Sequence, residues 1–122
     1  MDFDTKIAIV VAEDLETWRK LNVVSFLTSG IVGRYPEIIG EPYTDATEKH
    51  YWPLCIQPVV ILKAPRVRLN TFLARTESRG IEAAVYIEDM FATGHDGANI
   101  SSIYTADKKI VDKVFKGAKL HD

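Results

Sequence analysis

Polar and apolar residues follow two rhythms along the chain, and the changes between them mark the elements. Residues 6–12 form an apolar run rich in β-branched side chains, with acidic residues on both sides. Such a run predicts a strand buried on both faces, the kind found in the middle of parallel sheets. From residue 17 to residue 35 the period lengthens. Trp18, Leu21, Val24, Ser25, Thr28, Ile31, Val32 and Tyr35 follow helical spacing, and Phe26 and Leu27 widen the apolar face. A largely buried helix is predicted, weakened by Gly30 and Gly33 and ended by Pro36.

Residues 36–57 carry Pro36, Gly40, Pro42, Asp45 and Pro53 and predict a long, largely irregular connection, a length often associated with function. A second buried strand is predicted over 59–62. Pro65 suits the first position of a helix whose apolar face is Val67, Leu69, Phe72 and Leu73, and Gly80 suits its left-handed close. A third strand is expected over 81–87, a turn at 94–97 and a short strand over 99–104. Thr105 can cap a last helix with an apolar stripe of Ile110, Val111, Val114 and Phe115, an Asp112–Lys116 pair on its other side, and Gly117 at its end. The order β-α-β-α-β-β-α predicts an α/β fold, a three-layer α/β/α sandwich on a small four-stranded mixed sheet, its fourth strand antiparallel to the third.

Composition adds bounds rather than a function. A length of 122 residues, 47% hydrophobic and 26% charged, suits one globular domain over 1–122. The formal charge of −2 argues against a generic nucleic-acid clamp. It divides unevenly: residues 1–57 hold 5 basic and 9 acidic side chains, residues 58–122 hold 10 and 8. Arg66, Arg68, Arg75 and Arg79, with Lys108, Lys109, Lys113, Lys116 and Lys119, suit either a phosphate backbone or a solvated helix face. The lone Cys55 permits a reducing cytoplasm. The acidic start does not read as a signal peptide, and the apolar stretch 21–32 is interrupted by Asn22, Ser25, Thr28 and Ser29, too short to span a bilayer. A soluble, cytoplasmic protein away from membranes is expected.

Ligands of such sheets gather outside the carboxyl ends of the parallel strands. That rule selects Glu13 and Asp14, Lys63, and Glu88 and Asp89, although charged residues at strand ends are ordinarily solvated caps. Lys20 falls in the first turn of the first helix, where a cation opposes the helix dipole unless a carboxylate or phosphate lies near. Asp89 and Thr93 can orient water or an oxyanion, or simply close a local turn. His50, Cys55, His95 and His121 lack metal-ligand spacing, His95 in a Gly-His-Asp-Gly turn reading most simply as an exposed loop residue. There is no Gly-x-Ser-x-Gly elbow and no glycine-rich nucleotide fingerprint, so neither metal nor cofactor is expected.

Several words of sequence carry a resemblance: the opening strand with Glu13-Asp14-Leu15, Asn22, residues 36–40 (Pro-Glu-Ile-Ile-Gly), Asp45-Ala46, residues 58–64 (Pro-Val-Val-Ile-Leu-Lys-Ala), and residues 108–113 with Gly117 and Leu120. Over nearly its whole length the chain resembles an uncharacterised bacterial family, domain of unknown function 2000, placed with the type 2 peptidyl-tRNA hydrolase fold. By that resemblance Lys20, Asp89 and Thr93 correspond to the hydrolases' functional lysine, aspartate and threonine. Asp14, Asn22, Lys63 and His95 are the candidate ligand-binding residues around them. The chain departs from the hydrolases in Trp18, which stands in their glycine-rich approach, in Ser25 and Thr28, and in Phe91-Ala92 where they carry Gly-Arg. Two readings follow. One is hydrolysis of an ester such as the peptide–tRNA link, with tRNA as partner. The other is a non-catalytic module that binds a small molecule or assembles as a homodimer, motivated by Trp18, Phe91, Tyr43, Tyr51 and Trp52.

Overall fold

Residues 6–87, 98–102 and 112–122 are described by the computed structural model of the chain. Strand β1 (Ile7–Ala12) lies near the centre of a five-stranded mixed sheet, every residue of it buried. Its continuous apolar run leaves no polar side to turn to water, so it must be covered on both faces. Helix α1 (Thr17–Arg34) covers one face, packing Val23, Leu27 and Ile31 on Ile7, Ile9 and Val11. Helix α2 (Arg66–Ser78) covers the other, packing Leu69 and Phe72 on Ala8, Val10 and Ala12. Period-2 alternation along β1 therefore feeds two separate cores.

Helix α1 runs through Gly30 and Gly33 and stops before Pro36, which opens a 3-10 turn, Pro36–Ile38. Its polar interruptions are absorbed locally: the hydroxyls of Ser25, Thr28 and Ser29 donate to the carbonyls of Leu21, Val24 and Phe26. A Cβ added at Gly30 would meet the Cβ of Ala84 at 3.5 Å, an ordinary van der Waals contact, so the helix passes close over the sheet at this point.

The connection 36–57 is more ordered than its composition predicts. It contains the hairpin of β2 (Tyr43–Thr44) and β3 (His50–Tyr51), and Ile39 bridges Cys55. The Asp45 carboxylate closes the hairpin, accepting from the Thr47 and Lys49 backbone, the Thr47 hydroxyl and the Tyr51 hydroxyl. Those donors hold its pKa down, from 3.8 to about 2, with the Thr47 hydroxyl the largest cause.

Strand β4 (Val59–Ala64) pairs parallel with β1, from Ile7↔Val59 to Ala12↔Ala64. It extends two residues past the predicted strand because Lys63 and Ala64 continue the ladder. Pro65 is the N-cap of α2 rather than its first residue, and Val67, expected on the apolar face, is 82% exposed. The buried face instead takes Thr76, whose hydroxyl donates to the Leu73 carbonyl. Gly80 closes the helix at φ +64, as predicted.

Strand β5 (Ala83–Ile87) pairs antiparallel with β6 (Ala98–Ser102), and β6 pairs antiparallel with β1. The predicted turn at 94–97 and helix start at Thr105 lie outside the described residues. Val114 and Phe115 are buried as expected, Phe115 meeting Phe72 edge-on. The expected Asp112–Lys116 pair is replaced: Asp112 pairs with Lys6. Gly117 follows at φ +106. After it comes β7 (Lys119–Leu120), antiparallel to β4, which makes the sheet five-stranded rather than four-stranded, in the order β5-β6-β1-β4-β7. Two residues carry too little alternation to announce a strand.

Candidate functional site

Because β1 and β4 are parallel and end in register at Ala12 and Ala64, the loops leaving them rise from one rim of the sheet. The Glu13 amide donates to the Ala64 carbonyl at 3.0 Å and ties the two exits together. Asp14 does not face a vacant pocket. It receives Nε and Nη2 of Arg66 at 3.3 and 3.2 Å, a two-pronged pair joining the β1 exit to the first residue of α2.

The lysines are placed differently. Register sets Lys63 beside Val11, and Val11 and Ile61 belong to the core under α1, so Lys63 faces the α1 side at the rim. Lys20 lies on the first turn and a half of α1, half-buried. The segment containing β7 brings both into one cluster. Pairing with β4 puts Lys119 opposite Lys63, and the His121 amide donates to the Ile61 carbonyl at 3.0 Å. His121 Nε2 then lies 3.1 Å from Lys20 Nζ, and Lys63 Nζ donates to Asp122 Oδ1 at 2.9 Å. An ammonium has only donors, so Nε2 is the acceptor and Nδ1 carries the ring proton. That proton has a partner in the Asp122 carbonyl, 3.1 Å away.

The electrostatics favour an anion. The hydrogen bond from Lys63 is the largest cause holding the Asp122 carboxyl below its ordinary pKa. Asp122 is nonetheless solvated, its side chain 85% exposed against 27% for Lys63. Lys63 and Lys119 are like charges directly opposite on adjacent strands, an unfavourable pairing unless an anion intervenes. The first turn of α1 contains no acidic residue, and the Glu16 carboxylate at its N-cap accepts from Trp18 Nε1 instead of capping the helix amides. Three ammonium groups thus face one side of the rim near the start of α1, with the Asp122 carboxylate paired to Lys63. The arrangement can hold a phosphate or carboxylate and stabilise negative charge.

The remaining candidates divide. Asn22 is exposed, about 200° around α1 from Lys20, and is not part of the cluster. Asp89, Thr93 and His95 lie outside the described residues, as does Phe91. Trp18 is 58% exposed, its Nε1 donating to Glu16 and its ring meeting the Arg19 guanidinium, so it does not seal the rim. Among the described residues, no group of three or more His, Cys, Asp or Glu side chains is placed to hold a metal ion. Among them also, no helix is long and apolar enough to cross a membrane.

The sequence profile of the family described as Protein of unknown function (DUF2000) matches residues 5–109. The chain belongs to that family. It is similar to a solved structure of a protein of unknown function from Agrobacterium tumefaciens strain C58, with 44% identity and a TM-score of 0.91 over 99% of this chain and 100% of the other. No curated protein matches significantly. The span matched by the DUF2000 profile includes Lys20 and Lys63, whereas Lys119, His121 and Asp122 lie beyond it. Sequence reasoning placed Lys119 only in a basic cluster suited to a phosphate backbone or a solvated face, and missed His121 and Asp122 as site residues. Their only local signal is the glycine at 117, which frees the chain to turn back to the sheet.

Proposed function

We propose that this DUF2000 protein binds a small phosphate- or carboxylate-bearing ligand at the Lys20–Lys63 rim, on a fold of the type 2 peptidyl-tRNA hydrolase kind. The convergence of the two lysines on adjacent residues, His121 and Asp122, carries the reading. The helix on each face of a mixed sheet, with a parallel β1–β4 pair at its centre, supports the fold assignment. With Asp89 and Thr93, Lys20 would make the set that the resemblance implies for ester hydrolysis: Asp89 orienting water, Thr93 positioning it, Lys20 holding a phosphate or the oxyanion. A reducing cytoplasm suits the free Cys55.

The test separates binding from catalysis. Calorimetric titration with inorganic phosphate gives saturable binding that Lys20→Ala and Lys63→Ala each weaken; unchanged affinity in both variants refutes the site. Turnover of acylated tRNA that falls in Lys20→Ala and Asp89→Ala assigns ester hydrolysis. Phosphate binding without turnover assigns the non-catalytic ligand-binding reading.

A second reading, assembly of two copies, rests on a separate observation. Trp52, Leu54 and Ile56 alternate outward along one segment, 90%, 65% and 51% exposed, more apolar surface than a solvated connection needs. Sedimentation of wild type beside Trp52→Ser tests it: a dimer that the substitution dissociates supports it, and a monomer at high concentration ends it.

A further inference from the structure

Two adjacent residues engage both lysines of the rim, and that economy suggests a moving part. We propose that residues 119–122 form a displaceable strap: in the free protein His121 and Asp122 hold Lys20 and Lys63, and a ligand phosphate or carboxylate binds by taking their place. The inference rests on the anion-binding reading and adds the regulation of that site.

The strap is firm at one end and weak at the other. Upstream, Val114 and Phe115 are buried, and Arg75 Nη1 donates to the carbonyls of Val114 and Lys116 at 3.3 and 2.8 Å. Gly117, at φ +106, lies close against Arg68: a Cβ there would meet its Nη2 at 2.7 Å. Downstream, the ladder to β4 consists of only Leu62↔Leu120 and Lys63↔Lys119, plus the His121 amide on Ile61. Leu120 is 69% exposed, so little apolar burial holds β7 down. Within that short ladder Lys63 and Lys119 repel.

Asp122 offsets that repulsion and supplies to Lys63 what an anionic ligand would supply: carboxylate oxygens at hydrogen-bond distance. An exposed ion pair of this kind is weak, so an arriving anion has little to overcome. Because His121 and Asp122 are neighbours, one peeling motion frees both ammonium groups. The closed strap lowers apparent affinity by the fraction of molecules that are open.

The experiment titrates wild type, His121→Ala, Asp122→Asn and Lys63→Ala with inorganic phosphate and, separately, with acetate. The protection of the His121 amide against hydrogen exchange is followed in wild type. The strap variants should bind the preferred anion roughly two- to fivefold more tightly, the size set by a surface ion pair. Saturating anion should also speed exchange of the His121 amide in wild type. Unchanged affinity in both strap variants, with Lys63→Ala still weakened, overturns the strap and leaves the site standing. Failure of both phosphate and acetate to bind wild type and strap variants alike overturns the site and the strap together.

Discussion

Lys63 and Lys119 stand directly opposite one another across the β4–β7 pair, two ammonium-bearing side chains in register at the edge of the sheet. Directly opposed like charges oppose strand pairing, at a cost comparable to the ~0.2–1 kcal/mol that favourable pairs contribute. Lys119→Thr removes one charge and supplies a β-branched residue. Thermal unfolding should show a gain of a few tenths of a kcal/mol, roughly, at low ionic strength, shrinking as salt is added. A loss of stability at low salt would contradict the electrostatic account.

Ile9 tests the burial of β1 on its α1 face. It is fully buried, paired with Ile61 on one side and with Ser101 on the other. Ile9→Ala should destabilise the fold by about 2–5 kcal/mol, the range for a large-to-small change in a close-packed core. Urea unfolding with an unchanged slope is the measurement, and a loss under 1 kcal/mol, roughly, would mean that the site collapses freely around the cavity.

Asp45 predicts a pH dependence. Its pKa is lowered from 3.8 to about 2 by the hydroxyls and amides it accepts from. The folded value lies below the unfolded one, so its contribution is complete above the unfolded pKa and is lost as pH falls through about 2. Chemical-shift titration of the Asp45 carboxyl should give a midpoint near that value. The stacked rings of Tyr43 and Tyr51, 5.3 Å apart, should separate over the same interval, and Asp45→Asn should separate them at neutral pH.

Gly117 occupies the left-handed region at φ +106, and a side chain there would meet Arg68. Gly117→Ala should cost about 1–3 kcal/mol through backbone strain. The strain should appear locally as well. Hydrogen exchange at Leu120 and His121 should accelerate more than at Ile9, because the turn at Gly117 delivers β7 to β4.

The fold was legible where a periodic signal ran long enough to exclude its alternative. Six consecutive apolar residues in β1 and eighteen residues of helical spacing in α1 leave little ambiguity. Ambiguity grows as elements shorten. The hairpin at 43–51 is made by the side chain of Asp45 rather than by alternation, and β7 has two residues. The same limit governs the site. Lys20 and Lys63 were legible because each stands at a computable place, a helix start and the carboxyl end of a strand. Their partners were not, because His121 and Asp122 are positioned only by long-range pairing with β4. Val67 failed for a different reason: it occupies an expected apolar position, yet α2 turns Leu69, Phe72 and Thr76 to the sheet.

The sheet order also shapes how the protein is made. One neighbour of β1, strand β4, is complete at residue 64, but the other, β6, ends at residue 102 and lies between β1 and β5. During synthesis at ordinary ribosomal speeds the intervening stretch takes roughly two to eight seconds. For that interval the most apolar strand of the chain has one bare edge, the state in which nascent β-structure captures foreign strands. Newly made protein should therefore depend on chaperone protection more than its finished stability would suggest, and most acutely while β6 is still within the ribosome.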